Sequence, residues 1–256
     1  MKTKQDQWNA KLYDDSHSFV SMYGESMIQL LAPRPGERIL DVGCGTGDLA
    51  NTLSNDSIEV IGIDKSENMI KQARDKYPHL SFFPCDATDM DFSNEFDAVF
   101  SNAALHWIKP PEKALTCMYK SLKKSGRFVA EFGGKGNVQS LTDAFFELLI
   151  QYGYEENLQY NPWYFPSISE YTTLMEDAGF TVKLAQLFER PTPLTGEDSI
   201  KKWMTMFATD LFTGIDEAIK TEMLKKLEDN LRDNLYKDGK WILDYRRIRV
   251  IGVKES

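Results

Sequence analysis

Short apolar runs recur along the first half of the chain, and stretches with helical periodicity lie between them. Five runs predict β-strands, at Arg38–Val42, Glu59–Ile63, Leu80–Pro84, Phe96–Ser101 and Arg127–Phe132. The helical patterns cover Asp48–Leu53, Glu67–Tyr77 and Pro111–Lys124, whereas the link Asp86–Glu95 between the third and fourth runs carries turn residues. This order of strands and helices predicts a parallel sheet with helices on both faces.

The second half of the chain has a different pattern. Alternating positions predict two further strands, Thr181–Phe188 and Trp241–Val253, which pair as an antiparallel edge of the sheet. Helical stripes cover Leu141–Tyr152, Glu170–Ala178 and Gly196–Tyr236. We therefore expect an α/β fold with a Rossmann-like, doubly wound, mostly parallel seven-stranded sheet, an antiparallel edge and a helical cap insertion.

We expect a single domain with three parts. Residues 1–35, in which Asp6–Leu31 has a helical pattern, form an N-terminal helical lid. Residues 36–135 form the ligand-binding core, and residues 136–256 complete the same domain. This last part holds the helical cap, at about 140–178 and 196–238, and the closing strands, at about 181–190 and 241–253.

Composition narrows the classes of function. The formal net charge of −9 disfavours binding to nucleic acid, whose phosphates favour dense Lys and Arg. Cys44, Cys85 and Cys117 are too scattered for a disulfide framework or a zinc site, and we expect no metal. The polar segment Met1–Trp8 is unlike a secretory signal, and no apolar run reaches the roughly 20 residues of a membrane helix. We expect a cytoplasmic protein that binds neither membranes nor nucleic acid, as a monomer or weak homodimer.

The segment Ile39–Gly47 is the strongest candidate for a ligand site. An apolar strand runs into a loop with glycines at three alternate positions, and a helix follows. Glycines permit a tight turn and close approach of a ligand to backbone N–H groups. Asp64 ends the second strand about 20 residues later, where a carboxylate can accept hydrogen bonds from both hydroxyls of an adenosine ribose. The alternative role for Asp64, capping the next helix, is less favoured because Ser66 and Glu67 already supply helix-start residues.

Four motifs together resemble those of class I S-adenosylmethionine-dependent methyltransferases. They are the run DVGCGTG from Asp41, the IGID that ends at Asp64, the CDA at Cys85–Ala87 and the SNAALHW at Ser101–Trp107. The resemblance covers about half of the chain and implies S-adenosylmethionine as the cofactor, with S-adenosylhomocysteine as the product. By resemblance, the glycine loop lines the cofactor, Asp64 holds its ribose, Asp86 and Ala87 meet its adenine, and the residues after the fourth strand approach its methionine part. The predicted cofactor-binding residues are Trp8, Tyr13, Asp41, Gly43, Cys44, Gly45, Gly47, Asp64, Lys65, Met69, Asp86, Ala87, Asn102 and Ala103.

Two of these residues have ordinary structural alternatives. Met69 either borders the adenine or fills the core beneath its helix, since methionine packs well into irregular gaps. Asp86 either accepts from the adenine amino group or simply stabilises a turn.

His106 and Trp107 are predicted to lie where the methyl acceptor arrives. His106 is a candidate general base, and a surface histidine near a helix start is the alternative. Methyl transfer from a sulfonium needs mainly correct positioning of the nucleophile, and a carboxylate acceptor is already ionised near neutrality. A dedicated base is therefore optional.

The C-terminal run DGKW to DYRRIR, with SNAALHW, is similar to the trans-aconitate 2-methyltransferase branch, which esterifies small polycarboxylates. This similarity implies a small-molecule acceptor with a carboxylate oxygen, bound in part by Arg246 and Arg247. In an alternating strand, Arg247 and Arg249 share one face and Arg246 takes the other. The alternative for these arginines is a solvated edge strand protected by charge.

Other functions remain open at the level of the sequence. If the chain is a methyltransferase, one alternative to a small carboxylate is a different small-molecule acceptor. Another is an acyl group on a carrier protein, as in malonyl-carrier-protein methyltransferases. A non-catalytic S-adenosylmethionine-binding module has the same glycines and carboxylates. An NAD-dependent oxidoreductase is the weakest alternative, because the acidic residue two positions before the first glycine is atypical of its motif.

Overall fold

In a computed structural model, residues 26–55, 57–196 and 198–255 are described here. They divide into two compact units. The first holds the residues up to Gly134, then Pro166–Leu187 and the chain from Ile248 onward. The second holds Lys135–Phe165 and Phe188–Arg247. Trp8 and Tyr13 lie outside the described residues, as does most of the predicted N-terminal lid.

A seven-stranded sheet dominates the described part of the chain. Its strands are β1 (Arg38–Val42), β2 (Glu59–Asp64), β3 (Ser81–Pro84), β4 (Phe96–Asn102), β5 (Leu122–Gly133), β6 (Thr181–Glu189) and β10 (Arg246–Val253). They lie in the order β3-β2-β1-β4-β5-β10-β6. The first five pair in parallel, and the sheet has an antiparallel edge. The predicted fold class is confirmed.

Helices of the first unit follow the strands as the periodicity predicts. They are α1 (Asp48–Leu53), α2 (Glu67–Lys76), α3 (Pro111–Ser121) and α5 (Ile168–Asp177), and residues 26–31 are also helical. The buried faces of α1 and α2 cover β1 and β2, with Ala50, Leu53, Ile70 and Ala73 in one apolar cluster with Ile39 and Val60. Because burial of each leucine, isoleucine or valine side chain stabilises by about 1.5–3 kcal/mol, this cluster fixes the helix that follows the glycine loop.

Two predicted boundaries are wrong. The helix expected over Pro111–Lys124 ends at Ser121, because Leu122 pairs with Phe96 and begins β5 as a fully buried strand residue. The single strand expected over Trp241–Val253 is two strands, since the chain turns at Asp244, whose carboxylate accepts hydrogen bonds from the Ser140 backbone and hydroxyl. Both errors come from long-range contacts that periodicity does not contain.

The second unit is mainly helical, as predicted, and also contains a small sheet that was not expected. Its helices are α4 (Gln139–Gln151), α6 (Ser199–Phe207) and α7 (Glu217–Leu235), with 3₁₀ turns at Glu155–Tyr160 and Thr209–Phe212. The short strands β7 (Thr192–Pro193), β8 (Tyr236–Lys237) and β9 (Lys240–Leu243) form an antiparallel sheet in the order β7-β9-β8. In the same unit, the buried Trp163 packs against the rings of Phe165 and Trp203.

Polar contacts fix the part of β10 that belongs to the first unit. Arg249 donates from Nε and Nη2 to Glu131 Oε2, at 3.0 and 2.6 Å, and Glu131 is only 2% exposed. Lys254, just past β10, donates from Nζ to Asn94 Oδ1 and to the carbonyl oxygens of Tyr119 and Leu122. The strand is therefore held near its middle and just past its C-terminal end by charge-assisted hydrogen bonds.

Among the helices of the described ranges, none combines the length and the apolar character that crossing a membrane would require.

Candidate functional site

The glycine loop leaves β1 at the carboxyl end of the sheet, where parallel α/β folds place their ligands. Gly43, Gly45 and Gly47 have φ values of 74°, 54° and 87°, in the left-handed region that favours glycine. The backbone N–H groups of Gly43 and Cys44 both donate to the Ile63 carbonyl oxygen, at 2.8 and 3.0 Å. The loop is thus attached to β2 before the chain enters α1.

The three glycines differ in what surrounds them. A side chain at Gly43 would collide with the Ala104 Cβ, and one at Gly47 would come within 2.7 Å of the Phe82 ring. Around Gly45, apart from its two chain neighbours, no atom of the described residues lies within 4 Å of the Cβ position. The loop is therefore packed at two glycines and open at the middle one, where a ligand has room to approach the backbone.

This difference predicts unequal effects of two alanine substitutions. Gly43→Ala combines left-handed strain with overpacking against Ala104, and we expect it to lower the free energy of unfolding by at least about 2 kcal/mol. Gly45→Ala carries the strain alone, and we expect about 1 kcal/mol. Urea denaturation of both variants measures the difference. Equal losses would show that the contact with Ala104 is unimportant.

Asp64 connects the glycine loop with the start of α2. Its Oδ2 accepts from the Gly45 backbone N–H at 3.0 Å, and its Oδ1 accepts from the Ser66 N–H at 2.9 Å. Ser66 is the N-cap of α2, because its hydroxyl accepts from the Met69 N–H. Ser66 therefore caps the helix, as the sequence predicts, while Asp64 holds the loop beside the open position.

Asp41 is a buried carboxyl group at the end of β1. It is 2% exposed, and its Oδ2 has no hydrogen-bond partner among the described residues. Burial, reinforced by the negative charge of Asp64, raises the pKa of Asp41 to about 7. An unpartnered polar atom beneath a glycine loop is a group that a bound cation would satisfy.

The predicted adenine residues lie on the loop after β3. Asp86 accepts through Oδ1 from the Thr88 N–H and hydroxyl, and its Oδ2 pairs with the Lys65 ammonium at 2.7 Å. Although burial raises the pKa of Asp86, these donors outweigh burial and hold the pKa below its ordinary value. The turn role proposed for Asp86 is therefore present, and its contact with adenine stays a prediction, as does that of Ala87.

Met69 lies on the buried face of α2 and is only 3% exposed. This position fits the alternative in which Met69 is a core residue. The contact of Met69 with a cofactor stays a prediction. The Cys44 thiol is also buried, and burial raises its pKa.

The segment after β4 forms a tight turn that faces β5. Ala103 has a left-handed φ of 56°, and its N–H donates to the Glu131 carbonyl oxygen at 2.7 Å. Such strain in a non-glycine residue is common at functional sites. Asn102 precedes it at the end of β4, so the structure places both predicted residues at the carboxyl edge of the sheet with the glycine loop.

The alternative for His106, a surface position near a helix start, is wrong. The residue is 6% exposed, because a 3₁₀ turn at Leu105–Trp107 brings it against β5, where its Nδ1 accepts from the Gly133 N–H at 3.3 Å. In a neutral imidazole that accepts through Nδ1, the proton sits on Nε2. This geometry favours a hydrogen-bond donor over a general base. Trp107 is half-buried beside it.

The three arginines of β10 have different surroundings. The alternative that they protect a solvated edge strand is wrong, because β10 lies between β5 and β6 in the sheet. Arg249 pairs with Glu131, and Arg247 is buried with its guanidinium over the Tyr245 ring. The buried Nε of Arg246 has no hydrogen-bond partner among the described residues. Its side chain lies along Gly136, where an added Cβ would come within 3.0 Å of Arg246 Cδ.

Sequence reasoning did not find Glu131, whose carbonyl oxygen holds the Ala103 turn and whose carboxylate binds Arg249. An acidic residue inside an apolar strand was the available signal, because a buried carboxylate needs a partner. Ala104 and Phe82, which pack against the glycine loop, carry no such signal.

Comparisons with known proteins indicate the family of the chain. A family model described as a methyltransferase domain matches residues 40–130, which hold the glycine loop, Asp64, Asp86 and Asn102. The chain is 34% identical to an uncharacterized methyltransferase of Schizosaccharomyces pombe, over 98% of this chain and 99% of the relative. Its identity to the trans-aconitate 2-methyltransferase of Deinococcus radiodurans is 30%, over 46% of each chain. Identity to the malonyl-[acyl-carrier protein] O-methyltransferase of a Paenibacillus strain is 24%, over 81% of each.

Solved structures share the fold. The YcgJ protein of Bacillus subtilis has a TM-score of 0.66 at 19% identity, with coverage of 92% of this chain and 99% of that chain. Phosphoethanolamine N-methyltransferase 2 of Haemonchus contortus, solved with S-adenosyl-L-methionine, has a TM-score of 0.63 at 17% identity, with coverage of 98% and 59%. With a relative at 34% identity along almost the whole chain, the protein belongs to the class I S-adenosylmethionine-dependent methyltransferase family.

Proposed function

We propose that this methyltransferase binds S-adenosylmethionine at the glycine loop and transfers its methyl group to a carboxylate oxygen of a small molecule. The observation that carries the cofactor site is the pairing of an open Gly45 with an Asp64 carboxylate that is already oriented by the Gly45 N–H. A carboxylate has about four acceptor positions, which makes Asp64 a suitable acceptor for the two ribose hydroxyls.

The residues present fit the rest of this cofactor. The unpartnered oxygen of Asp41 suits the positively charged methionine end. Asp86, ionised and held by Lys65 and Thr88, is a suitable acceptor for the adenine amino group, with the Ala87 N–H beside it. Asn102 and Ala103 would border the methionine part from the end of β4. We also propose that residues 1–35 form a lid, with Trp8 and Tyr13 over the cofactor.

The cofactor supplies a methyl group that is activated by its sulfonium. The protein's own contribution is to hold the acceptor oxygen in line with that methyl group and to exclude water, which suffices for large acceleration when both reactants are positioned. A carboxylate acceptor needs no general base near neutrality, which agrees with the orientation of His106. His106 and Trp107 would then act by contact with the acceptor.

Arg246 supports the choice of a carboxylate acceptor. Its buried Nε lacks a partner within the described chain, and a guanidinium matches a carboxylate with paired donors. Arg247, by contrast, lies over Tyr245, so we assign it a structural role and keep Arg246 as the acceptor-binding residue.

The proposal is tested by incubation with methyl-labelled S-adenosylmethionine and a panel of small mono-, di- and tricarboxylates, including trans-aconitate. We expect label in a base-labile ester. Arg246→Gln should raise KM for the acceptor about 10–100-fold, because it removes a hydrogen bond between two charged groups. The change in kcat should be smaller.

Lys237→Gln is the matched control, because it removes one positive charge from an exposed residue of the same unit. Label found only on amines, thiols or carbon acids would overturn the carboxylate acceptor and leave methyl transfer intact. Equal KM values for Arg246→Gln and Lys237→Gln would remove Arg246 from the acceptor site.

A further inference from the structure

The described residues around the carboxyl group of Asp41 do not compensate a negative charge. In the sheet, Asp41 lies between Gly62 of β2 and Phe100 of β4, neither of which carries charge. The titratable groups that interact electrostatically with Asp41 are the Asp64 carboxylate and the Cys44 thiol. No cation from the described residues neutralises Asp41, and its Oδ2 has no hydrogen-bond donor among them.

A buried carboxyl group in such surroundings is most stable with its proton. Burial and the Asp64 charge raise the pKa of Asp41 to about 7, so the group changes charge in the neutral range. Its state then depends on what fills the adjoining site. A cation nearby would replace the missing compensating charge and favour the ionised form.

The donor and the product of methyl transfer differ in this respect. S-adenosylmethionine carries a sulfonium and an ammonium. When the C–S bond breaks and its electron pair stays on sulfur, the product is a neutral thioether that keeps only the ammonium. The substrate form of the cofactor therefore offers one more positive charge than the product form.

We infer that Asp41 is a specificity-determining residue whose ionisation is favoured more strongly by the sulfonium cofactor than by the thioether product, so that a proton is released on donor binding and largely regained when the product occupies the site. The proton goes to solvent on donor binding and returns after transfer. This exchange makes the protein prefer the donor over the product and assists product release. The inference rests on the proposed cofactor site.

The direction in which donor affinity changes with pH follows from the ionisation of Asp41. Below the pKa of about 7, the free protein must lose a proton from Asp41 before the donor is well bound. Donor affinity should therefore rise by up to about tenfold per pH unit between pH 5.5 and 7 and level off above it. Product affinity should change less. The ammonium of both ligands stays protonated over most of this range, because α-amino groups titrate near about 7.7–8.0.

Calorimetric titration tests this with the full chain and two ligands, S-adenosylmethionine and S-adenosylhomocysteine, in buffers of different ionisation enthalpy. At pH 6 we expect release of close to one proton per donor bound, and clearly less for the product. Asp41→Asn, which fixes the uncharged state, should abolish the release and the slope of donor affinity, and should bring the affinities of donor and product together.

The outcomes separate the two proposals. Flat donor affinity from pH 5.5 to 7, or equal proton release for donor and product, would overturn the role of Asp41 while leaving the cofactor site standing. Absence of binding by either ligand would overturn the cofactor site as well. Because the comparison of donor with product needs only the unaltered protein, it decides the question even if Asp41→Asn does not fold.

Discussion

Replacement of Asp64 by alanine is expected to weaken S-adenosylmethionine binding by at least about 100-fold. The carboxylate holds the Gly45 N–H and the Ser66 N–H, and in our proposal it also accepts from the cofactor's ribose. Hydrogen bonds to a charged group are each worth about 1.5–3 kcal/mol, and Asp64→Ala removes those to the ribose while it releases the glycine loop. Calorimetric titration of the cofactor measures the loss.

Two companion variants sharpen this experiment. Asp64→Asn keeps the size of the side chain and one acceptor oxygen, so we expect a smaller loss. Asp91→Ala removes a carboxylate from an exposed position of the link between β3 and β4 and should leave affinity unchanged. Normal cofactor affinity in Asp64→Ala would mean that the ribose is held elsewhere.

Arg249→Met is expected to have the largest effect on stability, because Glu131 would keep its charge at 2% exposure without the guanidinium that donates to it twice. Loss of one member of a buried ion pair costs about 3–5 kcal/mol. A shift of that size should lower the urea midpoint and reduce the melting temperature by about 10 °C in a domain of this size.

The double variant Arg249→Met with Glu131→Gln is the internal control. It removes the buried charge together with its partner, and we expect it to regain a good part of the stability. If Arg249→Met alone leaves the urea midpoint unchanged, the buried pair is not a stabilising feature of β10.

Local signals account for the parts of the fold that the sequence predicts well. Strands β1, β2 and β4 are buried on both faces and therefore appear as short apolar runs. The glycine loop is visible because positive φ values demand glycine, and Asp64 because it follows at a characteristic distance. These features depend only on residues close together in the chain.

Features that depend on residues far apart in the sequence were not predicted. The end of α3 at Ser121 is decided by the pairing of Leu122 with Phe96, and the burial of His106 by its hydrogen bond from Gly133. Strands β7 and β8 have two residues each, too few for any alternation. Likewise, the different surroundings of Arg246, Arg247 and Arg249 follow from tertiary contacts and not from their spacing along β10.

The interior position of β10 has a consequence for synthesis on the ribosome. A nascent chain that has emerged as far as Tyr245 already contains β1 to β6, yet β5 and β6 do not pair with each other, because β10 lies between them in the finished sheet. Until β10 emerges, β5 presents an unpaired edge, and exposed strand edges invite pairing with other chains. Completion of this sheet therefore waits until β10 has left the ribosome, and the interval before that is where a chaperone would have the most to protect.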